Sequence, residues 1–269
     1  MLVLRQYIQL IKKFRNVLKN KEPAFFLILL MVLAKINSGQ DLTAKEIIAK
    51  ADEKNRGETS FGTMEMKIVR PGWERTVEMK SWSKGDEYFL IYITAPAKEK
   101  GQVFLKRQKE MWNWVPSIER MIKIPPSMMM QSWMGSDFTN DDLVKQSSVV
   151  KDYEQILLGK DTVRDKACYK IQLDPHDDAP VVWGRIVSWV TVADFTLWKT
   201  EYYDEDLELV NEENAFDPKD FGDRTLPSRI EVFPLDKPGN KTIIIMKEMS
   251  FNQPIADDFF SQQNMKMVK

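Results

Sequence analysis

The chain has 269 residues, of which 43% are hydrophobic and 29% charged, with a formal net charge of −1. That length supports one large packed domain or two small ones. Near-neutral charge argues against a nucleic-acid partner, because phosphate recognition needs a clustered basic surface and such a cluster occurs only at the N-terminus.

Through Gln40 the basic residues are Arg5, Lys12, Lys13, Arg15, Lys19, Lys21 and Lys35, against the single acid Glu22. The remainder carries 32 basic and 39 acidic side chains, a net charge of about −7. Behind the basic segment comes the apolar run "AFFLILLMVLA" (24–34), then the small and polar "KINSGQ". This is the order of regions in a secretory signal peptide. As a helix the apolar run covers only about 16 Å, too little for a hydrocarbon core of about 30 Å. Residues 1–40 are therefore read as a signal peptide and 41–269 as a single exported domain, with an uncleaved anchor as the weaker alternative. The segment holds no cysteine, which excludes lipid attachment at a new N-terminal Cys.

"DLTAKEIIAKADEKNRG" (41–57) reads as a helix. Thr43 and Glu46 have the spacing of a capping box, Ile47, Ile48 and Ala51 form one apolar stripe, and Gly57 stops it. From Phe61 the period changes to two. "TMEMKIV" alternates Met64, Met66 and Ile68 with Glu65 and Lys67, and "WERTVEMKSW" alternates Trp73, Val77 and Met79 with Glu74, Glu78 and Lys80. "EYFLIYI", "QVFLKR", "EMWNWV", "RMIKI", "DYEQILLG", "KACYKIQL", "GRIVSWVTV", "TLWKTEYY", "SRIEVF" and "KTIIIMKEM" continue the series. A dozen strands joined mainly by short turns predict a mainly β protein, a large curved antiparallel sheet or half-open β-barrel. A wide or half-open barrel leaves an apolar hollow. Its candidate wall residues are Met64, Met66 and Ile68 on one strand and Trp112 or Trp114 on another.

Within "IERMIKIPPSMMMQSWMGSDF" (118–138) the strand signal stops at Pro125 and Pro126. Met128, Met129, Met130, Trp133 and Met134 then form an apolar cluster, expected as a helical lid across the hollow. Unbranched, polarizable methionine repacks around varied apolar ligands. Static core packing without a ligand is the alternative. Asp137, Asp141 and Asp142 could pair for acid–base work, but an N-cap of a helix at "TNDDL" (139–143) is the simpler account.

No catalytic motif is present: there is no GxSxG elbow, P-loop or dinucleotide fingerprint. His176, the only histidine, sits among turn formers beside Asp177 and Asp178, a weak metal lead and more simply a solvated loop. Cys168, the only cysteine, excludes an intramolecular disulfide. Alternation sets it on the strand face of Lys166, Lys170 and Gln172, where a partly exposed bystander thiol is expected. Neither a cofactor nor a metal is called for.

Several longer stretches resemble a known family. Trp114, Pro116 and Arg120 in "MWNWVPSIERMIKI", Met134, Gly135, Ser136, Asp137, Phe138, Asp142 and Leu143 in "SWMGSDFTNDDL", then Trp189, Lys199, Tyr202 and Tyr203, and the closing "DDFFSQQNM", are similar to the outer-membrane lipoprotein-sorting protein family, the LolA-like group of Gram-negative bacteria. The resemblance implies a half-open β-barrel with a lid and a cavity that shields acyl chains. It implies a periplasmic, monomeric, non-enzymatic carrier of acylated lipoprotein or lipid, with an inner-membrane transporter and an outer-membrane acceptor as further partners. The founding carrier relies on a cavity-lining arginine on an early strand; Arg70 and Arg75 both stand near the first turn here. A module that senses envelope lipid or stress through protein contacts on the same fold is the alternative function. Export is expected to remove about forty residues; intact-mass measurement on periplasmic protein checks this, and a retained Met1 would favour the anchored form.

Overall fold

The computed structural model describes residues 42–108, 110–145, 149–177, 179 and 181–269. The expected signal peptide lies outside the described residues, as does Asp178. Helix α1 (Ala44–Arg56) starts at the expected capping box: the Glu46 amide donates to Thr43 Oγ1 at 3.2 Å, and the Thr43 amide donates to Glu46 Oε2 at 2.8 Å. Its stripe of Ala44, Ile47, Ile48 and Ala51 is buried.

The rest is one sheet. Its strands are β1 (Thr59–Arg70), β2 (Trp73–Lys84), β3 (Tyr88–Ala95), β4 (Val103–Arg107), β5 (Glu110–Val115), β6 (Arg120–Lys123), β7 (Tyr153–Val163), β8 (Lys166–Pro175), β9 (Arg185–Thr191), β10 (Leu197–Tyr203), β11 (Leu209–Asp220), β12 (Thr225–Pro234) and β13 (Lys241–Phe251). The spatial order is β6-β5-β4-β3-β2-β1-β13-β12-β11-β10-β9-β8-β7. The sheet is antiparallel, curved and unclosed, with β6 and β7 as its two edges. Two meanders are thus joined where β1 pairs with β13, Met66 opposite Ile244 and Met64 opposite Met246.

Because β6 and β7 are opposite edges, the chain between them has to cross the sheet, and its described residues 124–145 pack on one face. On one face of the first meander Met66, Ile68, Val77, Met79, Ile91, Ile93, Phe104 and Met111 form an apolar cluster that includes Ile124 and Trp133 of the crossing segment. The other face of β3 and β4 presents Leu90, Tyr92, Val103 and Leu105 to Phe260 and Met265 of the C-terminal turns. These two strands are covered on both faces, so they read as continuous apolar runs. Helix α1 lies over β7 and β9, and Met246 lines a cavity beneath it. Since directly paired residues share a face, Met246 and Met64 place α1 and the crossing segment on the same, concave face.

Two expectations change and one strand is added. The Met-rich segment forms two 3-10 turns, Pro126–Met128 and Trp133–Gly135, in place of a continuous lid helix. Consecutive left-handed residues, Met134 at φ +52° and Gly135 at φ +76°, break the helical path. The short helix α2 (Asn140–Lys145) follows, capped as expected by Thr139 and Asp142. Cys168 is fully buried, not partly exposed, because Val187, Trp189 and Trp198 cover its side of the sheet; burial pushes its thiol up from the ordinary range. Strand β11 had no apolar alternation: its run Asn211, Glu212, Glu213 and Asn214 is stabilised by polar partners, including Lys199 Nζ at 2.8 Å from Glu212.

Met66 is wholly buried in the concave cluster whereas Trp73 is 51% exposed. Met66→Ala should lower stability by about 2 to 5 kcal/mol, and Trp73→Ala by about 0.5 kcal/mol or less, as read from urea denaturation midpoints.

Candidate functional site

The candidate site is the concave face of the first meander together with the segment that crosses it. Met66 and Ile68 lie in its floor with Met64 half-buried beside them, and Trp133 is inserted from above, edge-on to Phe104 with ring centroids 5.4 Å apart. Met128, Met129 and Met134 are half-buried against the same cluster, while Met130 is exposed. The structure thus brings together nearly all the methionines singled out from the sequence.

It does not bring Trp112 and Trp114 to them. On β5 it is Met111 that faces the concave cluster, so the two tryptophans, one and three residues on, point to the opposite face and pack with the C-terminal segment. Arg120 is exposed on the edge strand β6.

The Gly135–Phe138 motif is a clasp. Arg70, the last residue of β1, holds Asp137 through both guanidinium ends, at 3.1 Å (Nη1 to Oδ2) and 3.0 Å (Nη2 to Oδ1), and donates to the Gly135 carbonyl at 2.8 Å. Thr242 of β13 completes it: its hydroxyl donates to Asp137 Oδ2 at 2.7 Å and accepts from the Asp137 amide at 2.9 Å. Arg75 of β2 donates to the Met134 carbonyl and, at 3.1 Å, to Glu99. Gly135 is favoured by its backbone: its φ of +76° suits glycine, while an added Cβ would make only ordinary contact, 3.5 Å from the Arg75 guanidinium. The Ser136 hydroxyl donates to the Trp133 carbonyl at 2.7 Å and fixes the turn that carries the tryptophan. Phe138 is half-buried, and its carbonyl accepts from the Trp133 amide at 2.7 Å. Both arginines of the first hairpin therefore bind the crossing segment.

A second, polar region lies on the other side of α2. Asp142 accepts from Trp183 Nε1 at 3.2 Å, and the Trp183 ring sits 5.1 Å from that of Tyr202. Tyr202 on β10 is hydrogen-bonded to Glu213 on β11. Burial, reinforced by the negative charge of Asp142, pushes the Glu213 carboxyl up to about 7, with the Tyr202 hydrogen bond opposing. Burial likewise drives the Tyr202 hydroxyl well above its usual range. Tyr202 belongs to the motif residues read from the sequence; Glu213 does not, since a half-buried acid can be found only once its strand is placed.

A family model described as an uncharacterized protein matches residues 85–267. The chain belongs to this family, and its fold is LolA-like. A DUF1329 family protein from Desulfovibrio piger superposes with a TM-score of 0.76 at 22% identity, covering 82% of this chain and 97% of its own. A LolA superfamily protein from Nitrosomonas europaea gives 0.71 at 23% identity, with 83% and 99% covered. A domain named for outer membrane lipoprotein sorting, from Vibrio parahaemolyticus, gives 0.74 at 20% identity, with 83% and 100% covered. No curated protein matches the sequence.

Asp137 and Arg70 are both largely shielded, with side-chain exposures of 6% and 13%. Asp137→Ala leaves the guanidinium without its bidentate partner and should cost about 3 kcal/mol, with faster proteolysis inside 124–152. Lys67→Ala, which breaks an exposed pair with Glu74, should cost about 0.5 kcal/mol or less.

Proposed function

We propose that the protein is a periplasmic carrier that shields acyl chains of lipoproteins or lipids between the concave face and the segment crossing it. The observation that supports this reading best is the character of the cover. It is a strip of methionines and one tryptophan laid on a mainly apolar floor, fastened at its edge by side-chain clasps and, among the described residues, carrying a single isolated β-bridge, Ser132 to Thr139. Such a cover can lift without breaking the sheet, and methionine can repack around an acyl chain of any shape.

The energetics favour this use. Each methylene removed from water contributes about 0.8 kcal/mol, so a chain of about sixteen carbons represents on the order of 12 kcal/mol. Passage through water is prohibitive, whereas exchange between membrane and an equally apolar hollow is not. Methionine side chains that fill the hollow in the closed form would be displaced by cargo and would refill it on release. A receptor surface that competes for the chain supplies the direction of transfer. The second reading, a protein-interaction module, draws on edge strand β7, whose Ile156, Leu157 and Leu158 are exposed.

Titration with a fluorescent fatty acid should show saturable binding, and its absence in folded protein would remove the carrier reading. Met129→Ser should weaken that binding several-fold while lowering stability by roughly 1 kcal/mol, below the range of a fully buried site. Met130→Ser, at a residue 58% exposed, should leave both nearly unchanged. A large midpoint shift with unaltered affinity for Met129→Ser would mean that the segment is fixed core.

A further inference from the structure

We infer that the polar region around Glu213 is a binding site for a primary ammonium group, so that the cargo is an amphiphile whose apolar chain lies on the methionine cluster and whose cationic head reaches β10 and β11. The inference rests on the carrier reading above.

Thr200 carries the argument with Glu213. The two residues are directly paired across β10 and β11 and therefore share a face. Thr200 is only 2% exposed, yet its hydroxyl has no hydrogen-bond partner. A buried hydroxyl left unsatisfied costs about 1 to 3 kcal/mol, and its lone pairs can accept from a ligand donor. Glu213 itself forms no ion pair with any described residue; its hydrogen bond is to Tyr202. An ammonium group offers three donors and a positive charge, which matches a carboxylate, a free hydroxyl and the adjoining aromatic rings of Tyr202 and Trp183.

The surroundings bear on the chemistry. Glu213 also lines a cavity beneath α1, together with Lys54, Thr196 and Ala215. The groups facing this region are Asp142 from α2, Tyr153 from β7, Tyr202 from β10 and Lys54 from α1. Lys54 does not fill the role, since its ammonium already donates to the carbonyl and carboxylate of Asp194 and to Thr196 at 2.7 to 2.9 Å. The two regions meet at α2. Leu143 packs on the methionine cluster while its neighbour Asp142 turns to Trp183, so an amphiphile lying under α2 would have its two ends on matching surfaces.

The test compares dodecylamine, a cation at neutral pH, with dodecanol of equal chain length, each titrated into the purified protein below micellar concentration. Dodecylammonium should bind roughly tenfold more tightly, the worth of a charge-assisted hydrogen bond. Glu213→Gln should reduce it to the dodecanol level and leave dodecanol itself unaffected. Binding of the cation requires the carboxylate, so its affinity should rise between about pH 6 and about pH 8 as Glu213 ionises, while dodecanol binding stays flat. Equal affinities in the unaltered protein, or a preference that survives Glu213→Gln, would overturn the ammonium site and leave the carrier reading standing. Failure of both probes to bind would overturn the two together. Should the Gln variant not fold, the pH series on the unaltered protein decides, a constant affinity ratio overturning the site.

Discussion

The placement of β6 and β7 at opposite edges of one sheet is the constraint from which the rest follows. A chain that ends one meander at one edge and begins the next at the other has to traverse the concave face in between. The described residues 124–145 follow that path, and they can do so stably only by burying apolar side chains on the floor beneath. The methionine cluster is therefore a topological requirement before it is anything else. What topology leaves open is how firmly the traverse is held, and here the choice of side chains matters. A strand added to the sheet would have been held by a ladder of backbone bonds; two 3-10 turns and a six-residue helix are held by packing and by the clasp.

That clasp concentrates its bonds at one place. Arg70, Asp137, Thr242 and the Gly135 carbonyl form a closed set in which both carboxylate oxygens and both guanidinium ends are used. A shielded ion pair adds little net stability over an apolar pair of equal volume, because both charges lose their hydration. It does fix position, since the bidentate geometry tolerates little displacement. The left-handed pair Met134 and Gly135 serves the same end by turning the backbone so that its carbonyls meet Arg70 and Arg75. Beyond this clasp, methionine contacts dominate, and these are the contacts most readily remade in another arrangement.

Much of this was legible in the sequence where period and side-chain chemistry coincide. The twelve alternating stretches are strands, and Thr43 with Glu46 caps the helix they announce. The Met-rich segment is where it was expected, although Gly135 converts helix into turns. Legibility failed where long-range context decides. Strand β11 hides behind Asn211 to Asn214 because its partners, not its own period, satisfy it. Alternation alone does not say that both faces of β8 are covered, so Cys168 looked accessible. The faces of β5 could not be tied to those of β1 without the register through β2, β3 and β4, which is why Trp112 and Trp114 fell on the far side. Arg70 and Arg75 were candidates for a cavity-lining arginine; the structure shows both holding the crossing segment, one on the Asp137 carboxylate and one on the Met134 carbonyl.

The two halves of the concave face differ in a way that folding alone does not explain. Under the crossing segment the floor is mainly apolar, its charged residues Arg70 and Arg75 being taken up in holding that segment. Toward β10 and β11 it carries Ser188, Thr200, Tyr202 and Glu213 on neighbouring strands. An aliphatic residue at Glu213 would avoid the cost of dehydrating a carboxyl that lies within the influence of Asp142. The protein accepts that cost next to a hydroxyl that it also leaves unsatisfied. Departures from local optimality that cluster in this way are characteristic of sites kept for binding. The helix that divides the two regions, α2, contacts both through adjacent residues, so any movement of the cover that admits an apolar chain also opens the polar end.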